Sequence, residues 1–112
     1  MGAMFPHTVT VWNRSDDETY TRTVIACAYW EDNRGAMLRR TGVSSDSGIV
    51  VLIPFSAVSS DFTVRPGDWM ARGASALDPK TARDLQAAGA VRVTAADRLD
   101  FGGLPHWEVA LA

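Results

Sequence analysis

The sequence predicts a mainly β chain: a small β-barrel or β-sandwich of about seven strands, with one short α-helix (about 79–88) packed on its side. Three observations predict it. Short stretches rich in Val, Ile, Thr, Tyr and Trp recur along the chain, and such residues fit a pleated surface. Turn formers divide them at the spacing expected of a small sandwich or barrel. Only one stretch carries helix punctuation at both ends. At 112 residues a single domain over 1–112 is expected, since two separate cores would each be too small. Met1-Gly2-Ala3 ahead of Met4 reads as an added leader, with the natural start at Met4.

The first strand is expected at 9–12, where Val9-Thr10-Val11-Trp12 alternates, and residues 13–18 supply a polar loop. Residues 20–30 form a long second strand. One face would carry Tyr20, Arg22, Val24, Ala26, Ala28 and Trp30; the other would carry Thr21, Thr23, Ile25, Cys27 and Tyr29. Both faces turn apolar towards its C-terminal half, so it should start at an edge and end in the core. Asp32-Asn33-Arg34-Gly35 reads as a tight turn, because Asn and Gly accept positive φ at little cost. Residues 36–40 would return, and 35–48 as a whole is expected to be a long, mobile hairpin loop.

The continuous apolar run 49–53 suits a strand covered on both faces. Phe62-Thr63-Val64 leads into Arg65-Pro66-Gly67, where Pro and Gly fit the two central positions of a type II turn. For the helix, Asp78 is the candidate N-cap, Pro79 the first helical residue and Gly89 the stop. Ala82, Leu85 and Ala88 would lie along it as an apolar stripe facing a sheet. Val91 and Val93 then point one way and Arg92 and Thr94 the other. Trp107, Val109 and Leu111 close the chain on one face, with His106, Glu108 and Ala110 opposite.

Composition excludes several function classes. Hydrophobic residues make up 46%, too many for a disordered chain. No apolar run approaches the roughly 18–20 residues that span a bilayer, and no basic-then-apolar leader opens the chain. No membrane partner is therefore expected. The net charge of −2 argues against wholesale binding of nucleic acid through its phosphates. Lys80 is the only lysine, so the basic residues are nearly all arginine, which suits paired contacts to carboxylates. The single cysteine, Cys27, has no partner for a disulfide and sits among apolar neighbours as a small buried hydrophobe.

Catalytic patterns are absent from the sequence. His7 and His106, with acidic neighbours Asp97, Asp100 and Glu108, lack the spacing of a metal site. The serines lie in loop-like surroundings without a strand–elbow–helix context. Gly102-Gly103 precedes a strand, not a helix, and so is no phosphate loop. No cofactor and no reaction are expected. Four tryptophans could form a stacking platform for single-stranded nucleic acid. Each lies on an alternating segment, however, where core packing is the commoner use. Trp69, beside a turn, is the exception and a candidate interface anchor.

Taken in order, these segments resemble the small head–tail connector proteins of tailed bacteriophages and prophages, variously called head closure, head–tail joining or minor capsid proteins. The likeness runs through Phe5-Pro6-His7-Thr8-Val9-Thr10-Val11, the long strand with Trp30, Ile53-Pro54 and Pro66-Gly67-Asp68. It ends in the Asp97-Arg98 strand before Gly103-Leu104-Pro105-His106-Trp107-Glu108-Val109. Their order and the short length carry the comparison.

The resemblance implies a virion structural protein, made in the bacterial cytoplasm and assembled in the neck as a ring of copies of itself. Portal or adaptor proteins would lie on one side and tail proteins on the other, with neither cofactor nor reaction. It also implies a hairpin loop facing the channel through which DNA passes. Arg39, Arg40 and Asp46 in the 35–48 segment are the candidates, with an ordinary disordered loop as the open alternative. A tail-completion role is a close variant. From a different class, a small β-barrel binding module for an oligonucleotide or ligand would expose Trp12 or Trp69 in a concave surface.

Overall fold

Runs of β-branched and aromatic residues form six antiparallel strands among the described residues, and these close into a barrel. The computed structural model describes residues 5–32, 48–100 and 102–112. The strands are β1 (His7–Arg14), β2 (Tyr20–Asp32), β3 (Ile49–Pro54), β4 (Trp69–Arg72), β5 (Val91–Leu99) and β6 (His106–Leu111), with one helix, α1 (Ala82–Ala87). Around the barrel the order is β1-β2-β3-β6-β5-β4, with β4 pairing back to β1. The expected strand over 36–40 lies outside the described residues, as does the 35–48 loop apart from Gly48.

Closure depends on two strands that change partners part-way. The first portion of β2 pairs with β1 and its last four residues pair with β3. Likewise β5 begins beside β4 and continues beside β6. Each has a register shift near the change, between His7 and Val9 opposite β2 and between Val93 and Ala95 within β5. An extra residue at such a bulge bends the strand and lets it pass from one sheet to the next.

The bulge corrects the expected faces of β2. Ile25 points into the core, but so do Ala28 and Trp30, which belong to the other set under strict alternation. The extra residue near Ala26 and Cys27 swaps the faces, and Cys27 is half-buried rather than enclosed. β6 needs no such correction, for Trp107, Val109 and Leu111 are buried with Glu108 exposed between them.

Side chains from every strand fill the interior, among them Val9, Val11, Ile25, Ile49, Val51, Ile53, Met70, Val93 and Val109. A second apolar cluster lies outside β1 and β4, where Trp12, Trp69, Leu85 and Ala90 pack with Tyr20, Ala71 and Leu77. β1 is thus buried on both faces over Val9 to Trp12. The segment after β4 is drawn across it by hydrogen bonds. Thr10 Oγ1 donates to Gly73 O at 2.8 Å and accepts from Ser75 N, while Trp12 Nε1 donates to Leu77 O at 3.0 Å.

The helix is shorter than expected and starts later. Thr81, not Asp78, is its N-cap: the Thr81 hydroxyl accepts the Asp84 N–H and the Asp84 carboxyl accepts the Thr81 N–H, a reciprocal capping box. Pro79 therefore precedes the helix. Gly89, at φ 86°, ends it as expected. Of the expected stripe only Leu85 is buried; Ala82 and Ala88 are exposed because a helix this short presents one turn to the sheet.

Phe62 to Val64 forms no ladder, although Val64 is buried in the barrel. One of its carbonyls serves a side chain instead, with Asn13 Nδ2 donating to Thr63 O at 2.8 Å. The Pro66–Gly67 turn forms as predicted: Asp68 N donates to Arg65 O at 3.1 Å and Gly67 has φ 100°.

Candidate functional site

Asp68 is the one acidic side chain buried among the described residues, and the fold uses all its reach. Its Oδ2 accepts from Asn13 Nδ2 and from Arg65 N, and its Oδ1 accepts from Arg14 N, each at 2.9 Å. A buried polar group without such partners would cost several kcal/mol, on the order of 2–7. The same turn is held to β5 by Gly67 N to Val93 O and by Val93 N to Asp68 O. Asp68 is a structural pin.

The two histidines are likewise engaged in the frame. His7 Nδ1 accepts the Trp30 N–H at 2.9 Å next to the β2 bulge, and its ring lies against Tyr29. His106 Nδ1 lies 2.8 Å from Leu104 O. Among the described residues, no group of three or more His, Cys, Asp or Glu is placed to hold a metal ion.

All four tryptophans are core residues: Trp12, Trp30 and Trp107 as the alternating segments predict, and also Trp69, which the sequence sets apart as a candidate interface anchor. Trp12 is 1% exposed and Trp69 9%, so neither offers a ring face for stacking a base. Trp69 keeps only an edge at the surface, beside the depression described next. Arg39, Arg40 and Asp46 lie outside the described residues.

Around that edge the fold gathers cations from distant parts of the chain. A depression of about 360 Å3 is lined by Arg14, Tyr20, Trp69, Lys80 and Arg92 together with one carboxylate, Glu18. A second, of about 330 Å3, shares Arg14 and Gly67 with it and adds Arg65 along with Asp16 and Asp68. Strand register places Arg92 beside Trp69, Trp69 beside Trp12 and Trp12 beside Arg22 on the outer faces of four consecutive strands. Arg22 is occupied, donating to Ser75 O and lying 3.8 Å from Asp78. Arg14 lies 3.6 Å from Glu18.

The sequence gives no sign of this cluster. Its members come from the ends of β1 and β5, a turn and the approach to α1, and only the barrel's closure brings them together.

Two further concavities are more apolar. Phe5, Tyr29, Leu52, Leu104 and His106 line a groove of about 260 Å3 on the outer face of β2, β3 and β6. At one mouth of the barrel, Phe55, Phe62 and Trp107 make an aromatic recess of about 250 Å3. There the Arg98 guanidinium lies 4.6 Å above the Phe55 ring, and Phe62 meets Trp107 edge-on.

Two exposed groups are shifted by local partners. The Ser15 hydroxyl, then the Thr19 hydroxyl and N–H, hold the Asp17 carboxyl below its ordinary range. The negative charge of Glu31, and then its hydrogen bond, push the Tyr29 phenol up.

Residues 4–111 match the family model described as a family of unknown function, DUF6751. No curated protein and no solved structure matches the chain. No helix among the described residues is long and apolar enough to cross a membrane.

Proposed function

The chain belongs to the DUF6751 family, whose function is unknown, and we propose that this member is a structural protein of a phage or prophage particle. In this reading it is a head–tail connector of the head closure or joining type. Copies form a ring between portal or adaptor and tail, and they act as packed shapes without catalysis or cofactor. The chain assembles in the host cytoplasm and ends in the particle neck, where the segment bearing Arg39, Arg40 and Asp46 meets passing DNA.

One observation carries the reading beyond the resemblance itself. The segments that resemble connectors are ones that build the barrel's strands and the turn pinned to them. Phe5 to Val11 leads into and forms most of β1, Ile53-Pro54 ends β3, Pro66-Gly67-Asp68 is the turn pinned to β1, and Gly103 to Val109 leads into β6. Side chains with chemical potential along them are engaged in that frame: His7 binds the Trp30 N–H and Asp68 binds three donors. A frame of this kind presents surfaces to neighbours.

The test is genetic. In a host that produces the particle, removing this chain is expected to leave heads and tails unjoined, with joining restored by the chain supplied in trans. Normal tailed particles in its absence would refute the proposal.

A further inference from the structure

Charge on this barrel is left unmatched in two separate places, and the two places have opposite sign. The first is the depression around the edge of Trp69. Arg65, Lys80 and Arg92 have no ion-pair partner among the described residues and Arg14 pairs with the exposed Glu18, so four cations outnumber the two exposed carboxylates, Asp16 and Glu18, that line the depressions with them. The second is on the outer face of β5 and β6. Asp97 stands directly opposite Glu108 in the ladder, both exposed and neither paired with a cation among the described residues. Like charges directly opposed across strands destabilise a sheet, so this pair costs stability in the isolated chain.

Both places face outwards, and β5 carries part of each. Arg92 lies at its start, beside β4, and Asp97 lies beyond the bulge at Thr94, beside β6. Five residues of strand separate them by about 16 Å, and each stands beside a different neighbouring strand. One chain therefore cannot neutralise its own carboxylates with its own cluster. A neighbour can.

We propose that the Arg14–Arg65–Lys80–Arg92 depression is a docking site for a second copy of this chain, which inserts its Asp97–Glu108 face. The guanidinium forks suit carboxylates, which they bind with two parallel hydrogen bonds. The apolar surroundings also correspond: Trp69 and Tyr20 border the cations, and Leu52 and Ala110 flank Glu108 on β3 and β6. Because the two surfaces differ, each contact leaves one of either kind free. Copies then join head to tail, an arrangement that yields a ring when its rotation closes and a filament when it does not. The inference rests on the connector reading for its setting, and it names the surfaces that reading leaves open.

Sedimentation velocity of the full chain at low and high salt tests it, with Arg92→Glu, the double variant Asp97→Asn/Glu108→Gln, and an equimolar mixture of the two. The wild-type chain is expected to self-associate at low salt and to weaken roughly tenfold on raising salt to physiological strength or above, since the contact is electrostatic. Each variant alone is expected to lose association about tenfold or more. The mixture is expected to form one-to-one pairs that grow no further, because each pair has a single intact contact. Unchanged circular dichroism of these exposed-residue variants separates lost docking from lost folding.

A wild-type chain that stays monomeric at low salt and millimolar concentration overturns the proposal, as does association indifferent to both variants. Either result leaves the connector reading standing if the chain is still required for joining heads to tails. Loss of that requirement with self-association intact removes the reading and keeps the docking site.

Discussion

Asp68 and Arg14 lie 54 residues apart and meet where β1 ends, the Asp68 Oδ1 accepting the Arg14 N–H at 2.9 Å. That bond, with those from Asn13 and Arg65, fixes a turn against a strand end and brings Arg14 and Arg65 to one depression. A buried acid thus positions exposed bases.

Asp68→Ala removes the acceptor shared by three donors, leaving the Arg14 and Arg65 N–H groups unpaired in a part-buried site while Asn13 keeps Thr63 O. A loss of about 3 kcal/mol is expected, from hydrogen bonds to a charged group and from donors left unpaired. Asp68→Asn should lose less, about 2 kcal/mol, because the amide keeps one oxygen but turns an NH2 towards a donor. Urea denaturation of both variants checks the order.

Trp12 ties the outer cluster to the segment between β4 and α1. Trp12→Phe keeps most of the buried ring but deletes the donor to Leu77 O, and about 1–2 kcal/mol should be lost. The effect should be local. Hydrogen exchange is expected to quicken over 73–81 and to stay slow in β3 and β6. Leu85→Ala, which empties a fully buried position under the helix, should cost about 2–5 kcal/mol.

Two glycines separate backbone strain from crowding. At neither Gly67 nor Gly103 would a Cβ meet another atom within 4 Å, but only Gly67 has positive φ, at 100°. Gly67→Ala should destabilise by about 1–2 kcal/mol through backbone conformation alone. Gly103→Ala should be neutral or stabilise by up to about 1 kcal/mol through the unfolded chain. Thermal melting compares them directly.

The β1–β2 loop should respond to acid through Asp17. Its carboxyl is held below the ordinary 3.8 by Ser15 and then Thr19, so the folded loop favours the ionised form. The loop's stabilisation is present above the ordinary value and is lost as pH falls through the lowered one. A carbon-detected NMR titration of the Asp17 carboxyl should give a midpoint below 3.8, and Ser15→Ala should raise it.

Local pattern made part of this architecture legible. Trp107, Val109 and Leu111 alternate on β6, Pro66–Gly67 dictates its turn, and Gly89 marks the end of α1. The start of the helix was obscured by a decoy: Asp78-Pro79 has cap chemistry, while Thr81 and Asp84 form the box with Asp in the place usually held by Glu. The bulges in β2 and β5 have no composition of their own, so the exchange of faces at Ala28 could not be read. The basic depression depends wholly on closure, which sets Arg92 beside Trp69 and joins residues from Arg14 to Arg92. Spacing along a chain does not encode such a meeting.

The central claim, that this barrel works as a shape held between neighbours in a particle neck, is tested most directly by cryo-electron microscopy of intact particles from a producing host. The account predicts repeated density at the vertex between head and tail into which the six-stranded barrel fits, one copy per subunit of a closed ring. A fully interpreted neck in which every subunit is accounted for by other chains would contradict it.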